Sequence, residues 1–239
     1  MKAELDAAQA CRQNEKIWEF YQNEGQAAFA LSTPRFERLL KDLARRAAGS
    51  RPVILNIGAG NGYLEELALQ RGWKVHSLDP DARTVARLLE KRINAQQGYI
   101  EHLPYADAIF DFVVASEVLE HLTTAQRRIG LAEVARVLQP CGWFLGTVPY
   151  NEDLRGNQVL CPKCGELFHR WGHQASFTLP GMRAELAATF AKITMKRTAF
   201  ISLKGRSLFG VVQGLVRMLL ARCGVAISGP SIYFFARKD

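Results

Sequence analysis

The apolar positions of this chain fall into two rhythms. Val53-Ile54-Leu55-Asn56-Ile57 is a short run of mostly β-branched residues, the pattern of a strand covered on both faces, and Leu64, Leu67 and Ala68 then recur at helical spacing. Lys74-Val75-His76-Ser77-Leu78-Asp79 reads as a second strand, and Ser231-Ile232-Tyr233-Phe234-Phe235-Ala236 as a last one. Between them, Leu208, Phe209, Val211, Val212, Leu215, Val216, Met218, Leu219 and Leu220 cover most of a predicted helix and leave Gln213 and Arg217 a narrow polar side. Gly205, Gly210 and Gly214 argue against rigidity there. The first forty-eight residues read as two helices broken at Ser32-Thr33-Pro34, where Thr33 can cap and proline suits a first turn.

The turn after the first strand carries the most chemical information. Gly58, Gly60 and Gly62 alternate ahead of the helix, so a ligand can touch the backbone of Gly58 and Gly60 while the helix start offers unpaired amides. A dinucleotide loop would need glycine at position 63, which is Tyr63, and no Gly-Lys-Ser/Thr follows for a phosphate loop. Asp79 closes the second strand, where a short acid can accept both hydroxyls of a ribose.

With these features the chain resembles the class I S-adenosylmethionine-dependent methyltransferases of small-molecule type. Glu101-His102-Leu103-Pro104-Tyr105-Ala106-Asp107 and Phe110-Asp111-Phe112-Val113-Val114-Ala115-Ser116 are similar to that family's LPF-x-D-x-x-FD-x-V stretch. Glu117-Val118-Leu119-Glu120-His121-Leu122 then follows the fourth strand, and Arg136-Val137-Leu138-Gln139-Pro140-Cys141-Gly142-Trp143 resembles the turn before the fifth. The resemblance spans roughly residues 50–150. It implies an α/β fold, a Rossmann-like doubly wound sheet of seven strands with the last one inserted antiparallel. It also implies S-adenosylmethionine as cofactor, with Asn56, Gly58, Gly60, Asp79, Pro80, Ile100, Glu101 and Ser116 as the residues around it. Two positions depart from the family: Asn56 replaces the usual acid, and Tyr99 stands where many relatives have an aspartate facing the adenine.

Four parts are expected: an N-terminal helical cap (1–48), a cofactor-binding core (49–150), an insertion after the fifth strand (151–178), and a C-terminal part that completes the sheet and adds a basic amphipathic lid helix (179–239). At 239 residues, 48% of them apolar, the chain can bury one sizeable core. Lys2, Glu4, Asp6, Arg12, Glu15 and Lys16 interrupt any apolar run at the amino end, so neither a signal peptide nor a membrane span is expected and the cytoplasm is the expected compartment. Five cysteines there are thiols or metal ligands sooner than disulfides. The net charge of +8 is uneven: from Gly181 to Asp239 there are ten Lys or Arg against two acids. An anionic partner is expected at that end, and the apolar helix is either a lid or a surface helix touching membrane or a lipid-carried substrate.

Cys161-Pro162-Lys163-Cys164 through His169 and His173 has the C-x2-C-x4-H-x3-H spacing of a zinc knuckle, and these four residues are the predicted structural zinc ligands. An ordinary loop with two free thiols is the plain alternative. In a third arrangement His173-Gln174-Ala175-Ser176-Phe177-Thr178 resembles a His-x-x-x-Phe-Thr stretch of many methyltransferases, whose histidine turns toward the substrate pocket. The E-x-x-E-H string of Glu117, Glu120 and His121 is similar to one that holds a divalent metal in ubiquinone-pathway and small-RNA O-methyltransferases. His121 with Glu117 is the expected catalytic pair, His121 as a general base. Together these features predict O-methylation of a small molecule or of a saccharide, anionic or lipid-linked. An RNA methyltransferase and a non-catalytic zinc-bearing scaffold are the alternatives. Aromatic residues are sparse among the basic ones of the tail, which disfavours nucleic acid.

Overall fold

The computed structural model describes residues 15–24, 32–225 and 229–239. The remaining parts of the predicted cap, residues 1–14 and 25–31, lie outside them. Five parallel strands open the fold: β1 (Val53–Ile57), β2 (Lys74–Asp79), β3 (Asn94–Gln97), β4 (Phe110–Ser116) and β5 (Leu138–Pro149). A small hairpin follows, β6 (Gln158–Leu160) and β7 (Leu167–His169), then β8 (Lys192–Thr198) and β9 (Ser231–Arg237). The main sheet has seven strands in the order β3-β2-β1-β4-β5-β9-β8, with β9 antiparallel to both neighbours.

The order reverses between β1 and β4, and in open sheets of this type a ligand crevice forms beyond the carboxyl ends of the strands at such a reversal. The sheet is covered on both faces. Leu55, Val113, Phe144 and Phe234 belong to a core shared with α5 (Thr124–Val137) and α6 (Leu179–Ala187). Ile54, Phe112, Leu145 and Tyr233 belong to another shared with α2 (Thr33–Ala47) and α3 (Tyr63–Leu69). Opposite pleat positions of each strand feed opposite layers, as the period-two geometry of a strand requires.

Local signals set the helix ends. Residues 15–23 form α1, and α2 begins with Ser32 at its N-cap and Pro34 in the first turn, so the cap falls one residue before the predicted Thr33. Asp81 caps α4 (Ala82–Glu90) by accepting from the Thr84 amide, and Thr123 with Gln126 closes a capping box on α5. α7 (Leu208–Cys223) runs through Gly210 and Gly214 as one continuous helix. Gly214 is a contact point: a Cβ there would lie 2.5 Å from Leu203, so glycine lets the helix approach the 201–203 segment.

Candidate functional site

The glycine turn is built for close approach. Gly58, Gly60 and Gly62 all have positive φ (77°, 55° and 79°), and a Cβ on Gly58 would sit 2.7 Å from Val118. Asp79, at the end of β2, faces this turn: its Oδ2 accepts from the Ala59 amide at 2.9 Å and its Oδ1 from the Asp81 amide at 3.0 Å. Burial pushes its carboxyl up to about 6, and the amides of Asp81, Ala59 and Gly60 only partly offset this. Pro80 is half-buried beside it.

The acid missing at position 56 is supplied from α3. Glu65 is fully buried and its Oε1 accepts both from Asn56 Nδ2 and from Ser77 Oγ, each at 2.7 Å. Burial dominates and raises the Glu65 carboxyl, against the donation from Asn56 and Ser77. Glu65 is not among the residues that the sequence pattern singles out. The available signal was its place in the first turn of the helix, next to an asparagine where an acid is usual.

Two other predicted cofactor residues point elsewhere. The Ile100 side chain belongs to the core, where a Cβ on Gly130 of α5 would meet it at 2.9 Å, so only its backbone is open to a ligand. Ser116 Oγ is paired with Thr147 Oγ1 at 2.9 Å between β4 and β5. Glu101 keeps a buried Oε2 without a hydrogen-bond partner. Tyr99 is half-exposed, and its hydroxyl donates to Glu15 of α1 at 3.2 Å.

α1 crosses this region through its polar side chains. Gln22 Nε2 donates to Asp79 Oδ2 at 3.3 Å, Asn23 Nδ2 to Asp81 Oδ2 at 3.0 Å, and Trp18 Nε1 to His121 Nδ1 at 3.0 Å. An indole N–H is only a donor, so His121 Nδ1 accepts and the ring proton sits on Nε2. Burial lowers the His121 pKa to about 3, with His173 adding to the effect. In this arrangement His121 is neutral with its lone pair engaged, so it serves as a general base only once Trp18 leaves it. This corrects the expectation of a poised base.

Past the end of β4, Glu117 has φ 58°, a conformation costly for a residue with a side chain, and Arg35 approaches its carboxylate at 3.9 Å. Glu120, in the one-turn 3-10 helix Leu119–His121, is fully buried, and neither carboxylate oxygen has a hydrogen-bond partner. Burial, then the Glu117 charge, raises its pKa well above the usual carboxylate range. The amides of Gln174 and Ala175 donate to the Glu120 carbonyl, and Gln174 Nε2 donates to that of His121. These bonds bring His173 against His121, with ring centres 4.7 Å apart.

The predicted knuckle does not assemble. β6 pairs with β7 so that Gln158 faces His169 and Leu160 faces Leu167, which leaves Cys161 and Cys164 at the hairpin tip, roughly 10 Å along the strands from His169. The Cys161 thiol is lowered by the backbone amides of Cys164 and Lys163 at that exposed turn. His169 and His173 gather instead with Glu152, a residue the sequence reasoning did not select. Glu152 Oε2 takes His173 Nδ1 at 2.5 Å and its Oε1 lies 3.4 Å from His169 Nε2. Burial opposes the Glu152 charge, but the two histidines hold its carboxyl below the usual range. His169 Nδ1 accepts the amides of Trp171 and His173, so its proton is on Nε2, toward Glu152. His173, facing a carboxylate, carries its proton on Nδ1 and keeps the Nε2 lone pair.

Glu120, His121 and His173 bring ligand atoms within 4.8 Å of one another, and the orphaned Glu120 carboxylate fits a cation. His173, aligned by a carboxylate on its far nitrogen, has the usual arrangement of a metal-binding histidine.

Comparison with known proteins agrees with this geometry. Residues 55–146 match the family described as a methyltransferase domain. The chain is 36% identical over 117 residues to a probable S-adenosylmethionine-dependent methyltransferase of Mycolicibacterium smegmatis, covering 48% of this chain and 44% of that protein. It is 34% identical over 118 residues to a malonyl-[acyl-carrier protein] O-methyltransferase of Geobacter sulfurreducens, covering 45% and 42%. The chain thus spans less than half the length of these two curated relatives. Among solved structures, the Burkholderia thailandensis 1,6-didemethyltoxoflavin-N1-methyltransferase superposes with a TM-score of 0.64 at 19% identity, over 98% of this chain and 89% of that one. The shared feature is the fold, a Rossmann-like seven-stranded sheet.

Proposed function

We propose that this protein transfers a methyl group from S-adenosylmethionine to an oxygen of a small molecule or a saccharide, free or lipid-linked. The observation that carries the reading is the junction of the Gly58–Gly62 turn and Asp79 with the Glu117, Glu120, His121 and His173 cluster, all beyond the carboxyl ends of β1, β2 and β4. The first group suits a nucleoside: small residues against which it can lie and a carboxylate for its ribose. The second suits a hydroxyl acceptor. Glu120 and His173, with His121 once Trp18 releases its Nδ1, would hold a divalent metal, which when bound would lower the pKa of an acceptor hydroxyl.

Methyl transfer from a sulfonium is an in-line displacement, so the chain's task is alignment and exclusion of water. Gln22 and Trp18 of α1 lie over Asp79 and His121, placing an apolar indole and an amide where water would otherwise enter. Glu152 fixes the His173 ring so that its Nε2 lone pair is free for the metal. Carbonyl, amine and carbon acceptors would gain less from such a set of acceptors.

Calorimetric titration with S-adenosylhomocysteine, followed by a screen of hydroxylated acceptors with methyl-labelled cofactor, tests the reading. Micromolar binding and label in a base-stable ether or a base-labile ester support it. An absence of cofactor binding by the folded protein would overturn it.

A further inference from the structure

We infer that α7 and the groove beside it form a docking surface for an anionic lipid bilayer, with the helix lying in the interface and the groove receiving a phosphate headgroup.

Two independent features lead there. The first is exposure. α7 leaves Leu208 83%, Phe209 71% and Leu219 61% accessible, with Val212, Leu215 and Val216 near half, while only Gly214 and Ala221 of the helix are buried. A helix of sixteen residues that turns its small residues to the protein and its large apolar ones outward is the reverse of a core-packed helix. It is too short to cross a membrane, and no described helix is long and apolar enough to do so. A helix that lies flat in the interface is the remaining way for a bilayer to bury it.

The second is charge. From residue 186 to residue 238 the chain has nine Lys or Arg and no Asp or Glu. Beside α7 a groove of about 580 Å³ runs between α2, the end of β8 and residues 199–204. Arg38, Lys41, Arg71, Lys196 and Lys204 line it against a single acid, Glu37. Glu37 pairs with Lys204 and Asp42 with Arg38, whereas Lys41, Arg71 and Lys196 form no ion pair among the described residues. Burial and then the Arg38 charge hold the Lys196 ammonium below its ordinary pKa, although the Asp42 carboxylate favours its charged form.

The groove is also greasy. Phe200, Ile201, Leu203 and Met218 form its apolar wall, and Met218 belongs to α7 itself. Cations for a headgroup and apolar side chains for the chain below it are therefore contiguous with the exposed helix. Bilayers carrying anionic lipid match both features, and each cation near such a surface adds to the attraction.

Co-sedimentation of the full chain with vesicles tests this without cofactor or acceptor, so its outcome is separate from that of the methyl-transfer reading. Binding is expected to phosphatidylcholine vesicles containing phosphatidylglycerol, and to weaken on raising the salt from about 0.05 to 0.5 M, where screening shortens. The double variant F209Q/L219Q, exposed at both positions, should lose about tenfold or more in binding, and K41E about tenfold. Circular dichroism would confirm that both variants fold. Equal binding to pure phosphatidylcholine, no binding to either vesicle, or displacement by millimolar inorganic phosphate would overturn the inference. So would a micromolar dimer in light scattering that F209Q/L219Q dissolves, since a second copy would then cover the helix.

Discussion

Asn56 Nδ2 donates to Glu65 Oε1 at 2.7 Å, so the acid that the resemblance leads one to expect on the first strand is here carried on the following helix, nine residues later. The pair is fully buried, with Ser77 as the other donor, and neither Asn56 Oδ1 nor Glu65 Oε2 has a hydrogen-bond partner. The two positions act as one unit: one amide, one carboxyl. Restoring an aspartate at position 56 would set two acids against each other without solvent. N56D is expected to destabilise the fold by about 2–4 kcal/mol, and E65Q in the same chain to recover more than half of that. Urea unfolding of the two single variants and the double variant measures it; additive losses would show that the pair is not coupled.

Asp79 gives the cofactor site a pH dependence. A ribose hydroxyl donates to a carboxylate, and the folded Asp79 carboxyl is raised to about 6, mainly by burial. Cofactor affinity should therefore be level above about pH 7 and fall by up to tenfold per unit below about 6. The stability effect has the same origin. Because the folded pKa lies above the unfolded one, Asp79 favours folding when protonated and costs stability as pH rises through about 6. Titration with S-adenosylhomocysteine from pH 5 to 8 checks the binding side, and D79N should abolish the pH dependence along with most of the affinity.

Glu152 acts on chemistry through His173. E152Q can still accept from Nδ1–H but also offers an amide donor, and it removes the charge that fixes the tautomer. Turnover should fall by about tenfold or more, within the range of second-sphere partners, while S-adenosylhomocysteine binds as in the parent. A parallel loss of cofactor affinity would mean that Glu152 supports the whole crevice and not the histidine alone.

The hairpin tip should tolerate change. Because Cys161 and Cys164 stand apart from both histidines, C161S/C164S is expected to shift stability by less than about 1 kcal/mol. Replacing buried His169 by alanine removes the acceptor for the amides of Trp171 and His173 and should cost about 1–3 kcal/mol. Thermal unfolding with and without a chelator distinguishes the cases. A large chelator-sensitive loss in the double cysteine variant would restore the knuckle.

Much of this architecture was legible in the order of residues because local physics sets it. β-branched runs, alternating glycines at positive φ, and a carboxylate closing the second strand need only short-range sterics and pleat geometry, so the parallel sheet, the glycine turn and Asp79 could be placed before any fold was known. The C-x2-C-x4-H-x3-H spacing was read just as locally and failed, since pairing of β6 with β7 separates the two halves and hands His169 and His173 to Glu152. The partners that decide the site's chemistry are distant in sequence: Asn56 with Glu65 across a turn, Trp18 with His121 across 103 positions. Composition likewise gave the basic carboxyl-terminal quarter and the apolar helix. Which way that helix faces was settled by packing alone, because Gly214 could approach the 201–203 segment where a larger residue could not.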